Sequence, residues 1–307
     1  MNLTGERSWA GRLVYPAVLV VAILSGAPPV EAQCQGYDAL LPFVPASGWP
    51  NGWQGFVRVD NARHPATGAR FVATDDAGNS YRGSFDIGSG ETLHFNSNDL
   101  EFGNADKGVE GIGRAPIGSW RLCFTSLGRA SASAYVRTSD GFVTDVSLIV
   151  ETSYVCEPRC PEWRVPIFNP ASNYNQVSLL RLINNSDATV GVVITGIRAD
   201  GTQNLDGDGE PRTVQGFIGA GMATEITSEQ LETGREISLE RCDPAAPEDC
   251  VDTVGALGPA KGKWSLYVNR LEEGAYSEDL VVMNLLRTPT GQITSLPASG
   301  TDTWIRR

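Results

Sequence analysis

The feature that most constrains this chain is that it repeats itself. Pro45-Ala-Ser47 recurs as Pro170-Ala-Ser172, Arg58-Val-Asp-Asn61 as Arg181-Leu-Ile-Asn184, and Leu100-Glu-Phe-Gly103 as Leu231-Glu-Thr-Gly234. Trp120-Arg-Leu122 recurs as Trp264-Ser-Leu266, and Arg137-Thr138 with Gly141 and Thr144 recurs as Arg287-Thr288 with Gly291 and Thr294. The matches keep one order, which marks a duplication. Their spacing grows in steps, so the second copy carries insertions, near Asn204–Glu210 and Cys242–Cys250, where loops accept them. Two homologous domains follow, at 35–152 and 164–300, joined by a Cys/Pro linker at 153–163. That linker, Cys156-Glu-Pro-Arg-Cys160-Pro161 at its centre, reads as compact and stiff.

Within each copy the hydrophobic period is two. Gln54–Asp60, Ala69–Thr74, Thr92–Phe95, Ser119–Thr125, Ser133–Arg137 and Phe142–Val150 alternate, separated by Gly, Asn and Asp turns. Short strands at such spacing predict an all-β fold of two tandem antiparallel β-sandwich domains of immunoglobulin or fibronectin type III size. Helix is expected only as single turns at Ser97–Glu101 and Ser228–Glu232, capped by Ser and Asp. Trp120 and Trp264 repeat at strand positions and read as core.

Arg7 and Arg12 precede an apolar run from Leu13 to Leu24, and small residues lead to Ala32. This is the pattern of a secretory signal peptide over residues 1–32. The run of about 12 residues is too short for a span, which needs roughly 20. The product is expected in a secreted, extracellular or periplasmic location, with no membrane span. Over the 307 residues the net charge is −12 and the pI about 4.7. Such a chain lacks the basic field that captures phosphate backbones, so nucleic acid is not an expected partner.

An oxidising compartment makes the six cysteines disulfide candidates. Six thiols admit many connectivities. Spacing favours Cys242–Cys250 across an insertion and Cys156–Cys160 across the linker, leaving Cys34 with Cys123. Asn204, Asp206 and Asp208 alternate before Gly209 and Glu210, the first half of a calcium loop, so a structural calcium ion is a candidate cofactor. The position for the bidentate carboxylate is Gln215, and an acidic hairpin turn explains the same residues. Trp49 and Trp53 place two indoles in a loop, a candidate stacking platform for sugar or peptide unless they pack the domain edge.

Histidines are few, His64 and His94. A hydrolytic triad would have to join His94 to Ser97 or Ser84 and to Asp99 or Asp75. The chain has no Gly-x-Ser-x-Gly elbow, and the second copy has no histidine in the matching region around Glu225-Ile-Thr-Ser228. No catalytic residue is therefore assigned.

Phe56-Val-Arg-Val, Thr74-Asp-Asp-Ala-Gly78, His94-Phe-Asn-Ser-Asn-Asp-Leu-Glu101, Lys107-Gly108, Trp120-Arg-Leu and Tyr135-Val-Arg-Thr resemble repeats of poorly characterised secreted bacterial proteins. The resemblance is close over domain one and weak over domain two. It implies a bacterial extracytoplasmic β-sandwich and carries no catalytic residues. The expectation is a non-enzymatic interaction module that binds an extracellular protein or carbohydrate. The alternatives are a structural spacer of a surface assembly and an extracellular hydrolase.

Overall fold

Alternation of buried and exposed side chains builds strands here, and the strands pair in the same order twice. A computed structural model of the chain describes residues 37–147 except Arg63, then 163–243, 246–271, 280–296 and 298–300. The segment 1–32 expected to be a signal peptide, Cys34 and the expected linker with Cys156 and Cys160 lie outside the described residues. The first half comprises β1 (Ala39–Pro45), β2 (Gln54–Asp60), β3 (Thr67–Asp75), β4 (Ser80–Ile87), β5 (Thr92–Asn96), α1 (Ser97–Phe102), β6 (Ser119–Ser126), β7 (Ser131–Arg137) and β8 (Val143–Asp145). The second comprises β9 (Trp163–Phe168), β10 (Val177–Asn184), β11 (Val190–Arg198), β12 (Thr213–Ile218), β13 (Ala223–Thr227), α2 (Ser228–Thr233), β14 (Trp264–Arg270), β15 (Leu280–Arg287), β16 (Ile293–Leu296) and β17 (Ser299–Gly300).

The first half pairs as β1-β6-β3-β4 and β5-β2-β7-β8. The second repeats this as β9-β14-β11-β12, with β17 added beside β9, and β13-β10-β15-β16. All pairs are antiparallel, and each half is a sandwich. The register fixes equivalent residues. Arg58 lies opposite His94 and Ser133, and Arg181 lies opposite Glu225 and Met283, so His94 and Glu225 occupy one position. The second-copy insertions fall between β11 and β12 and between α2 and β14.

The repeated motifs turn out to be parts of one device. Trp120 Nε1 donates to Glu101 Oε1 at 3.2 Å, and Ser47 N donates to the same oxygen at 2.9 Å. In the second half Trp264 Nε1 donates to Glu232 Oε1 at 3.0 Å and Ala171 N donates at 3.1 Å. A carboxylate from the helical turn thus ties the Trp strand to the Pro-Ala-Ser loop in both copies. It satisfies the indole N–H that burial takes out of water. Asn61 and Asn184, both fully buried, donate to Pro65 O and Gly88 O, and to Ala188 O and Ile218 O. Each closes the turn after its own strand. The helix caps sit one residue earlier than expected: Asn96 and Thr227 form capping boxes with Asp99 and Gln230.

The two halves differ in how many faces of a sheet are buried. In β2, Phe56, Arg58 and Asp60 keep contact with solvent. In β10 nearly every residue is buried, and β15 is buried from Leu280 to Leu285. Leu180, Leu182, Leu280 and Val282 belong to the second sandwich core. Leu179, Ile183, Val281, Met283 and Leu285 point the other way and join the buried cluster of the first. Both halves fall in one compact unit. Close approach is built in at Gly78, where φ is +86° and a Cβ would stand 3.0 Å from Ala220 O. Any side chain there would meet backbone in addition to the strain of positive φ.

Asp60 and Ile183 are equivalent positions with opposite surroundings, which makes a direct test. Ile183→Asp would bury an unpaired carboxylate between the halves and is predicted to lower unfolding free energy by about 3 kcal/mol or more in urea denaturation. Asp60→Ile, on the open face, should change it by less than about 1 kcal/mol.

Candidate functional site

Two arginines at one repeat position have opposite fates, and they define the surfaces that matter. Arg181 is fully buried between the sandwiches. Its Nη2 donates to Asp76 Oδ1 at 2.5 Å and to Ser119 Oγ at 2.7 Å, while Nη1 donates to Glu225 Oε1 at 3.1 Å. The guanidinium also lies 5.1 Å from the centroid of the Phe43 ring. Asp76, Ser119 and Phe43 come from the first copy, so the second copy inserts a cation into an acidic, aromatic-floored socket of the first. Burial opposes the charge on Arg181, but Asp76 and Glu225 hold its pKa above the ordinary arginine value. Burial pushes the Glu225 carboxyl up, against the pull of Arg181. Beside it Arg121 donates to Gly221 O at 2.6 Å. Burial, with the Arg181 charge second, brings the Arg121 pKa down to about 9, so it too is charged at neutral pH.

Arg58, the first-copy equivalent, lies on the outer face of β5-β2-β7-β8 with 54% of its side chain exposed. Its partner within the chain is Asp60, at 3.2 Å. Around it the pleat aligns Phe56, His94 and Tyr135. Their rings are near parallel, with centroids 5.0 Å apart for Phe56–Tyr135, 5.5 Å for Phe56–His94 and 5.4 Å for His94–Tyr135. The Tyr135 hydroxyl and His94 Nε2 are hydrogen-bonded. Arg137 lies 5.9 Å from the Phe56 ring centroid. Arg58, Thr92, His94 and Tyr135 line an open depression of about 420 Å³. Burial lowers the pKa of His94, helped by Lys107 and Arg58 and opposed by Asp99, and burial raises that of Tyr135. Burial and the nearby Lys107 and Arg58 charges thus disfavour protonation of the His94 imidazole.

The residues expected to bind or react lie elsewhere. Trp53 is only 3% exposed, and its Nε1 donates to Gly291 O in the second half at 2.7 Å. Trp49 is half-buried, stacked on Trp53 at 6.3 Å and edge-on to Phe43 at 5.8 Å. The pair packs the boundary between halves, leaving Trp53 no face for a ligand. Asp206 Oδ1 accepts from Asp208 N and Glu210 N, and Asn204 Nδ2 donates to Leu257 O and Pro259 O. This is the acidic hairpin turn, with Asn204 turned to another loop. Among the described residues no group of three or more His, Cys, Asp or Glu converges to hold a metal.

Cys242 and Cys250 form the disulfide expected across the second insertion. Cys123 is also disulfide-bonded. The groups named for a triad are committed apart: Asp99 takes Lys107, Asn104 and Asn96, and Asp75 takes Asn79 and Ile117. Ser97 is buried at the first turn of α1. Among the described residues no helix is long and apolar enough to cross a membrane.

Sequence reasoning passed over Phe56, Arg58, Tyr135 and Arg137 as site residues. The signal was present: Phe56 and Arg58 on β2, and Tyr135 and Arg137 on β7, stand at every second position where their second-copy equivalents are Leu179, Arg181, Leu285 and Arg287. Compared with known proteins, the chain matches no family model, no curated protein and no solved structure.

The His94 environment is directly measurable. In an NMR titration its imidazole should have a midpoint below the free-histidine value of about 6.5. Lys107→Ala and Arg58→Ala should each raise that midpoint, since each removes a repelling cation.

Proposed function

We propose that this protein is a secreted, non-enzymatic interaction module, and that its partner is an extracellular protein meeting the outer face of β5-β2-β7-β8. The observation that carries the reading is the surface cluster of half-buried Phe56 and Tyr135 with exposed His94, flanked by Arg58 and Arg137. Aromatic side chains and arginine are the residue types enriched where protein partners bind, because they bring large area, few rotors and a cation that tolerates partial desolvation. A shallow depression suits a protein surface better than a small substrate, which takes an enclosed cleft. The second sandwich, locked by its own sheet face, holds this face in place and leaves it free.

A protein partner is favoured over carbohydrate because the rings pack against one another, so a sugar has little free ring face to stack on. The test is an array of secreted proteins and glycans probed with the mature chain and with a Phe56→Ser/Tyr135→Ser variant. A protein hit that weakens at least about tenfold in the variant, with an unchanged melting temperature, supports the reading. Binding that is indifferent to the double substitution, or hits confined to glycans, would overturn it.

A further inference from the structure

The repeat turns the interface inside the molecule into a template for the surface left outside it. The outer face of β13-β10-β15-β16 is covered, and what covers it is the β1-β6 side of the first sandwich with its Asp76 and Ser119. The outer face of β5-β2-β7-β8 is the same face in the other copy. It keeps the central arginine and replaces Leu179 and Leu285 by Phe56 and Tyr135, so large side chains remain at the positions that bury in copy two. It differs where the arginine finds its acids. Arg181 has Glu225 beside it on its own sheet, whereas Arg58 has His94 at that position. The cation is retained and the cross-strand carboxylate is not; the carboxylate Arg58 does have, Asp60, comes from its own strand and leaves 54% of the arginine side chain exposed.

We infer that Arg58 is the anchor of a docking surface for a protein whose own sheet face presents a side-chain carboxylate above an apolar or aromatic floor, the arrangement Asp76 and Phe43 make around Arg181. This rests on the interaction-module reading and specifies the partner. A second copy of the chain is a poor fit, and the register says why. Its free equivalent of the socket, on β9-β14-β11-β12, carries Ala199 where the first copy has Asp76, Lys263 where it has Ser119, and Ile167 where it has Phe43. Arg58 would meet a lysine instead of a carboxylate there, and a like-charge contact at an interface excludes partners. The partner is therefore another protein, and the wild-type chain stays monomeric through this face.

The same differences supply a probe made from the chain itself. In the full-length mature protein, Ile167→Phe/Ala199→Asp/Lys263→Ser rebuilds the acidic, aromatic-floored socket on the exposed sheet of the second sandwich. Because Ile167, Ala199 and Lys263 are exposed, the substitutions leave both cores intact. The rebuilt protein should associate head to tail, as rings or open chains, with an apparent Kd of about 1–100 µM by analytical ultracentrifugation. Adding Arg58→Ala should weaken that association at least about tenfold, while Arg58→Ala in the wild type leaves its sedimentation unchanged.

A folded, rebuilt variant that remains monomeric at about ten times the upper end of that range would overturn the partner chemistry. The array hits that depend on Phe56 and Tyr135 would be untouched by that result, so the two failures are separable. Self-association of the wild type that Arg58→Ala abolishes would overturn it differently, by making the occupant a second copy.

Discussion

The Arg181 guanidinium, buried at the boundary of two sandwiches, makes the interaction on which the arrangement depends. Removing a buried ion's partner leaves an uncompensated charge and costs about 3–5 kcal/mol, even though the intact pair contributes little net stability over apolar packing. Arg181 therefore acts chiefly by specification. With Asp76 and Ser119 from the first sandwich and Glu225 from its own sheet, it has partners in one relative placement of the halves. The surrounding Leu179, Ile183, Val281, Met283 and Leu285 supply the apolar area. Apolar area is non-directional, and the charge socket gives it an address.

The duplication then separates scaffold from function. Residues kept in both copies at fixed roles are structural: the Trp–Glu pairs, the Asn turn staples and the helical turns behind their capping boxes. The proposed binding surface lies where equivalent positions diverge. Copy two spent its sheet face on binding copy one. Copy one has the same arginine, with aromatics in place of leucines, on a face that reaches solvent. On the proposed reading as an interaction module, one occupied face would hold the other preorganised, and a preorganised surface loses less ordering entropy on binding.

Much of the fold was legible in the sequence. Alternation over Gln54–Asp60 and Thr92–Phe95 marked β2 and β5, and the ordered repeats marked the duplication. The Cys242–Cys250 pair followed from its place in an insertion. The shared interface was harder to read. Its signal is the loss of alternation in Val177-Ser-Leu-Leu-Arg-Leu-Ile and in Leu280-Val-Val-Met, since a strand buried on both faces reads as a continuous apolar run. Trp49 and Trp53 left two readings open, because an indole pair in a loop looks the same whether it faces solvent or a second domain. The site was the least legible part. Phe56, Arg58, His94 and Tyr135 lie on three strands, and only the register of β5, β2 and β7 brings them together. Asp76 was visible only as part of an Asp-Asp-Ala-Gly turn. Its role depends on an arginine more than a hundred residues away.

The central claim, that a charge socket across the domain boundary locks the two sandwiches, is tested most directly by a double-mutant cycle on Arg181 and Asp76. Urea unfolding would be followed for the wild type, Arg181→Ala, Asp76→Ala and the double variant. The account predicts that the two single losses overlap, with a coupling energy of at least about 1.5 kcal/mol. Losses that simply add, within about 0.5 kcal/mol, would show that the two residues act independently and would contradict it.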